Sequence, residues 1–335
     1  MLKKLSFLLP LGALFLFTGV DSQDSIGESL VTDLVHPRAV AYFNETLYVT
    51  TAGIGGDLEV QGNLGLAYAG GTSTVSVLDA DGNLNLLLTS LPSVIEQNEP
   101  SGVHSIAFRN NIMWLTLAES TLSNPFSATI IGVDATTLRI QELIDVYEAE
   151  MRFNPDGGEI DSNPIDIAFD SQDRMYIADA SCNCVWRWSP NDDAEEALQV
   201  FYTWMDNPVP SSIYIDINDH IYVSFFSAFP FTEGSAGYVK LDTLGTVLES
   251  YSGLTAVVDM VVHEGTIYAS EFGRFSDSGW LPSSGRIVMV TQDGVTPIAE
   301  NIHFPYGLAL NPDAGLTAVI GSAFSETGSV ITLSP

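Results

Sequence analysis

The sequence predicts an all-β protein folded as a six-bladed β-propeller, with its last blade closed by the N-terminal strand. Three observations predict it. An apolar strand, a tight turn and a second apolar strand recur six times; the repeat period fits a four-stranded blade; and the chain lacks one strand at its C-terminal end while carrying a spare one at its N-terminal end.

The six copies begin at Ala39-Val-Ala-Tyr-Phe, Ser105-Ile-Ala-Phe-Arg, Asp166-Ile-Ala-Phe-Asp, Ser212-Ile-Tyr-Ile-Asp, Asp259-Met-Val-Val-His and Gly307-Leu-Ala-Leu-Asn. The markers Tyr48, Trp114, Tyr176, Tyr222, Tyr268 and Thr317 in the second strands lie 66, 62, 46, 46 and 49 residues apart. A blade takes about 40–50 residues, so each interval is one blade, with inserts in the first two. A second strand pair follows each copy, such as Ser73–Leu78 with Leu84–Leu88, and Asp81-Gly82 and Asp293-Gly294 are hairpin signals. The sixth copy stops after Gly328-Ser-Val-Ile-Thr-Leu. The segment Glu28-Ser-Leu-Val-Thr-Asp-Leu, which has no partner of its own, is the expected outer strand of that blade.

Antiparallel strands put the first–second and third–fourth turns on one face and the other links on the opposite face. The first–second turns are tiny (Asn44-Glu45, Asn110-Asn111, Asn218-Asp219, Glu264-Gly265). The long connections, 53–72, 90–102, 119–127, 147–163, 226–235 and 272–284, are all of the second kind, so one face collects them. They carry Tyr68, Phe126, Tyr147, Phe153, Phe226, Phe229, Phe231, Phe275 and Trp280. These rings either pack the loops down or form a stacking surface for a planar ligand.

The chain has 335 residues, with 11 Lys+Arg against 42 Asp+Glu, for a net charge of −31. That balance excludes a nucleic-acid or anionic-lipid surface, and it suits solubility, cation binding or a saline medium. Lys3 and Lys4 precede an apolar run from Leu5 to Val20, which reads as a signal peptide over residues 1–22, cleaved near 19–23. The propeller is then residues 23–335, extracytoplasmic (periplasmic or secreted), monomeric and without a later transmembrane span. Cys182 and Cys184 read as free or incidental thiols, because a bond between i and i+2 closes too small a loop to stabilise much.

The starts of the first strands and the ends of the second strands converge on the central channel. From the starts come Arg38, His104, Asp166, Ser212, Asp259 and Tyr306; from the ends come Asp179 and Glu271, with Glu119 just beyond. Asp166 with Asp179, and Asp259 with Glu271, are candidate ligands for Ca²⁺ or proton-sharing pairs; the alternative is that such acids cap turns. His104 is the candidate for proton transfer, with His303 next; a structural role is the other reading of a central histidine. No serine elbow, HExxH, phosphate loop or dinucleotide glycine pattern is present.

Tyr147-Glu-Ala-Glu, Asn154-Pro-Asp-Gly-Gly and Asp161-Ser-Asn-Pro-Ile-Asp-Ile-Ala-Phe together resemble a signature of the ScyD/ScyE family of exported bacterial β-propellers. Gly102-Val-His-Ser-Ile-Ala-Phe, Phe229-Pro-Phe with Gly234, and Val258-Asp-Met with Tyr268-Ala-Ser-Glu-Phe are similar to other stretches of that family. The likeness spans about residues 27–335; the early loop lacks the cysteines common there, and Cys182-Asn-Cys184 stands in place of a Gly-rich stretch. The resemblance implies a role in extracytoplasmic secondary metabolism of the scytonemin type, a dimeric indole–phenol pigment, and hence a small aromatic or indolic ligand. Arg38, Asp156, Asp161, Asn163, Phe229, Phe231, Trp280 and Tyr306 are the expected ligand contacts. A Ca²⁺-dependent hydrolase or lactonase and a non-catalytic protein- or glycan-binding module are the alternatives, and the sequence leaves open whether the chain is an enzyme.

Overall fold

The structure is a computed structural model that describes residues 26–62, 65–117, 127–193, 196–311, 315–321 and 327–333. It is a six-bladed β-propeller. The innermost strands are Pro37–Phe43, Val103–Arg109, Pro164–Phe169, Pro210–Ile215, Val257–His263 and Leu308–Leu310, and each opens an antiparallel blade. Each inner strand packs beside the next, and Leu308–Leu310 returns to Pro37–Phe43. Glu28–Leu34 pairs antiparallel with Gly328–Leu333 and supplies the outer strand of blade six.

Burial falls from the centre outward, and the strand sequences follow it. The second strands Met175–Asp179 and Leu316–Ile320 are buried along their whole length, because neighbouring blades cover both faces. The outer strands Ile140–Asp145 and Val247–Leu254 are mostly exposed. Between blades two and three, Trp114, Met175, Ile177 and Trp186 form a shared core, and Trp186 and Ile177 are fully buried. Burying each such side chain contributes about 1.5–3 kcal/mol, so the interfaces between blades carry the stability of the ring.

The turns explain part of the acidity. Asn44-Glu45, Asn110-Asn111 and Glu264-Gly265 all have positive φ at both residues, as type I′ hairpins require. Elsewhere an aspartate closes the turn. A carboxylate oxygen of Asp79, Asp134, Asp170, Asp216 or Asp242 accepts the backbone N–H two residues on and another one or two residues further, at 2.6–3.0 Å. All five sit on the short-turn face. Backbone donation holds Asp79, Asp134 and Asp242 below the usual carboxylate range, so these charges are permanent.

Two of the expected loops are strands instead. The third and fourth strands of blade one run on as Leu66–Leu78 and Leu84–Glu96, flanked by the short strands Leu58–Gln61 and Glu99–Ser101. Ala69-Gly70-Gly71, part of the expected connection 53–72, lies within the first of these long strands. The connection 147–163 opens with a helix, Val146–Phe153. Its N-terminus is capped by Asp145, which accepts from the Glu148 N–H, and its C-terminus by Asn154 at φ 36°. The connection 272–284 holds a small hairpin, Phe275–Ser276 with Gly279–Trp280. Strand order sends all of these to one face, as expected. Phe126, Glu119 and residues 1–22, expected from sequence to be a signal peptide, lie outside the described residues. Among the described residues, no helix is long and apolar enough to cross a membrane.

Candidate functional site at the channel mouth

In five of the six blades the pairing of the first and second strands slips once near its start, as a β-bulge. Pro164 pairs with Asp179, yet Asp166 pairs with Ala178; Val257 pairs with Glu271, yet Asp259 pairs with Ser270. That register sets Asp166 opposite Ala178 and Asp259 opposite Ser270, so neither acid opposes the partner anticipated from sequence. It aims Asp166 and Asp259 sideways, at the neighbouring inner strands.

Each of these two aspartates ties three blades together. Asp166 accepts the Ser105 hydroxyl from blade two at 2.5 Å, its own Ile167 N–H at 2.8 Å and the Ile213 N–H of blade four at 2.8 Å. Asp259 repeats the arrangement with Ser212 of blade four, Met260 N–H at 2.7 Å and Leu308 N–H of blade six at 2.7 Å. Burial pushes the Asp166 carboxyl up to about 6. Burial, followed by the charge of Asp166, pushes Asp259 well above the usual carboxylate range.

The third arc of the ring, where blades six, one and two meet, has no such aspartate. Gly307 and Ala39 occupy the equivalent positions. Gly307 N–H donates to Arg38 O at 3.0 Å, and a Cβ on Gly307 would lie 2.5 Å from that oxygen and 2.8 Å from Ala39 Cα, so only glycine lets the strands approach this closely. Here the polar side chains make a different contact. His104 Nδ1 lies 3.1 Å from the Ile165 carbonyl, which only accepts, so Nδ1 carries the hydrogen. Nε2 therefore accepts from the Tyr306 hydroxyl at 2.5 Å. The Arg38 guanidinium sits 4.9 Å from the Tyr306 ring centroid and donates to Pro100 O at 2.7 Å, which ties it to the blade-one insert.

Tyr306 and Arg38 are buried, and His104 is partly buried. Burial first, and then the Arg38 charge, bring His104 down to about 3; burial raises Tyr306 to about 12. At neutral pH this is an uncharged imidazole facing an intact phenol. The pair gives and takes hydrogen bonds; as built, the imidazole is a poor acceptor of a full proton.

The other anticipated acids have other work. Asp179 is fully buried and accepts from Ser162 Oγ at 2.6 Å, Asn163 N at 2.8 Å, Ser181 N at 3.1 Å, Cys182 N at 3.3 Å and Trp186 Nε1 at 3.1 Å. Glu271 accepts Thr255 N at 2.7 Å and pairs with Arg286 Nε. Among the described residues, one group of three cysteine, histidine or acidic ligands lies within 4.8 Å, namely Asp179, Cys182 and Cys184. Both of those sulfurs are committed to each other. The reading of the cysteines as free thiols is corrected by a Cys182–Cys184 disulfide, with Cα atoms 5.3 Å apart and both residues buried. Asn183 between them has φ 51°, the turn that lets the bond close.

The NPDGG stretch forms the exit of the helix. Asp156 accepts Gly158 N at 2.7 Å and Asn183 Nδ2 at 3.2 Å, so it joins this loop to the disulfide turn. Asn163 is buried, and its carbonyl accepts Ala180 N at 3.0 Å. Asp161 is partly exposed and acts electrostatically on Tyr147. These three residues shape the loop around Asp179.

The loop aromatics of blades four and five gather into one packed cluster. Trp280 lies 5.0–5.5 Å from Phe226, Phe231, Phe272 and Phe275, and Phe229 lies 5.8 Å from Phe231. Phe272 reaches Tyr306 at 6.4 Å and so carries the cluster to the channel mouth. Phe226, Phe231 and Phe272 are buried, while Phe229 stays 51% exposed and so is the ring most open to a ligand. Sequence reasoning missed Ser105, Ile213 and Pro100, whose contacts depend on how neighbouring blades meet and on the blade-one insert.

No protein-family model and no curated protein matches this sequence. Among solved structures, the chain is similar to virginiamycin B lyase from Staphylococcus aureus, with 11% identity and TM-score 0.53 over 89% of this chain and 95% of that one. It is also similar to the PQQ-bound aldose sugar dehydrogenase from Streptomyces coelicolor, with 11% identity and TM-score 0.58 over 92% and 97%. The soluble aldose sugar dehydrogenase from Escherichia coli gives 12% identity and TM-score 0.57 over 92% and 99%. At such identities the likeness carries the propeller fold alone.

Proposed function

We propose that the chain is an exported propeller of the ScyD/ScyE type that binds a small aromatic, indolic compound at its loop-rich face. The observation that carries this reading is the junction of an aromatic cluster with a neutral histidine–tyrosine pair, made where Phe272 meets Tyr306 at 6.4 Å. A planar ligand resting on Phe229 and the accessible edges of Phe275 and Trp280 gains aromatic contact. The Trp280 indole N–H is enclosed and meets no acceptor among the described residues, so it would donate to a ligand oxygen only where the ligand opens the cluster. A ligand hydroxyl or indole N–H that displaces the Tyr306 hydroxyl would find His104 Nε2 as its acceptor. The charged run Lys3-Lys4, the apolar run after it and the Cys182–Cys184 bond all suit export.

Thermal shift and calorimetric titration with a panel of indoles and phenols test the reading. The expected outcome is saturable stabilisation by at least one member, weakened several-fold in Phe229→Ala and in Trp280→Phe, which keeps the ring packing and removes the N–H. A flat response across the panel would overturn it.

A further inference from the structure

A second, chemically different cavity opens at the outer end of blade five, beside the hairpin Phe275–Trp280. Its volume is about 200 Å³, room for a small metabolite. Its charged and amide lining is Glu233, Glu271, Arg274, Arg286, Glu300 and Asn301. Serine, threonine and glycine complete the wall, and no aliphatic or aromatic side chain takes part.

The charges are unequally committed. Glu271 is 2% exposed and spends one oxygen on Thr255 N and the other on Arg286 Nε. That contact leaves the two terminal nitrogens of the Arg286 fork without a protein acceptor among the described residues. Arg274 has its backbone N–H on Ser284 Oγ, and its guanidinium makes no ion pair among the described residues. Glu233 and Glu300 act electrostatically on Arg286 without bonding it. Two guanidinium forks and two acids thus face one small polar space.

A bare anion is disfavoured here, since the lining carries three acids against two bases and the whole chain carries −31. A zwitterion escapes that penalty. We propose that this cavity is a binding site for a small zwitterionic amino acid, its carboxylate on Arg274 and Arg286 and its ammonium on Glu233 and Glu300. Two charge-assisted contacts of opposite polarity, held apart by the cavity, select molecules that carry both groups.

The test is calorimetric titration of the full protein with alanine and serine, and with acetate, ethylamine and glucose as comparators. The amino acids are expected to bind, and acetate and ethylamine at least about tenfold more weakly, as expected for the loss of one charge-assisted bond. Arg274→Ala, at an exposed position, is expected to lower amino-acid affinity about tenfold or more and to leave the unliganded melting temperature unchanged. Glu300→Gln is expected to weaken alanine and leave acetate unaffected or tighter. Absence of amino-acid binding up to millimolar concentration overturns the proposal, as does acetate or glucose binding as well as alanine, or affinity indifferent to Arg274→Ala.

Discussion

Two arcs of the same inner ring solve the same packing problem differently. Across blades two to four and four to six, a bulged aspartate takes a serine hydroxyl from one neighbour and a backbone N–H from the next. Across blades six, one and two, glycine and alanine replace the serine and the aspartate. There the strands touch directly, and Arg38, Tyr306 and His104 fill the mouth. The outer edge of this arc is sealed by the N-terminal strand in blade six. The contrast teaches that the polar groups of the two stapled arcs are consumed by the fold, while the closure arc keeps a hydrogen-bonding pair that a ligand can compete for.

The largest expected effect breaks a staple. Asp259→Ala strands the N–H groups of Met260 and Leu308 and is expected to cost about 2–4 kcal/mol in chemical denaturation. Asp166→Ala should behave alike. Arg38→Ala in the closure arc removes contacts that include the Pro100 hydrogen bond and the Tyr306 cation–π contact, but it also relieves a buried charge, and it is expected to cost less, about 1–2 kcal/mol. Equal losses in the two arcs would erase the distinction.

The arcs should also respond to pH with opposite sign. His104 falls from 6.5 to about 3 on folding, so its contribution is complete above 6.5 and is lost as pH drops towards 3. Asp166 rises from 3.8 to about 6, so its contribution is complete below 3.8 and is lost as pH climbs to about 6. Between pH 4 and 6 the two oppose each other. His104→Gln should make the stability curve fall more steeply with rising pH in that window, and Asp166→Asn should make it rise more steeply. Urea midpoints across the window read both slopes, and identical slopes in the two variants would contradict the assignment.

Smaller effects lie outside the ring. Reducing Cys182–Cys184 releases a three-residue loop, for which the chain-entropy account gives roughly 1–2 kcal/mol, visible as a modest drop in melting temperature. Chelation is expected to leave that temperature unchanged, because Asp179 has five donors, Glu271 has Arg286, and Asp166 and Asp259 hold inner strands together. A clear chelator-induced fall would return Ca²⁺ to these acids.

Much of the fold was legible because it rests on local signals. The triplets Ile106-Ala-Phe and Ile167-Ala-Phe, the Asn44-Glu45 turn and the unpaired Glu28–Leu34 segment each specify their element by periodicity or turn chemistry. The blade-one strands were hidden because Gly70, Gly71 and the polar residues around them carry no alternating pattern. The site was legible in its residues and not in its pairings. Arg38, His104, Asp166, Asp259 and Tyr306 all reach the channel, but the fit of neighbouring blades decides that Asp166 meets Ile213 and not Asp179. No residue type announces that contact, since it comes from fitting neighbouring blades together. The Cys182–Cys184 bond was equally hidden, because it depends on the backbone turn at Asn183.

The imidazole nitrogen shifts of His104, followed by NMR during titration with an indole or phenol that binds, test the closure-arc site most directly. The account predicts a neutral ring protonated on Nδ1 down to about pH 3 and a saturable shift of Nε2 as the ligand displaces Tyr306. A His104 that titrates near 6.5, or nitrogen shifts that stay fixed while the ligand saturates the protein, would contradict it.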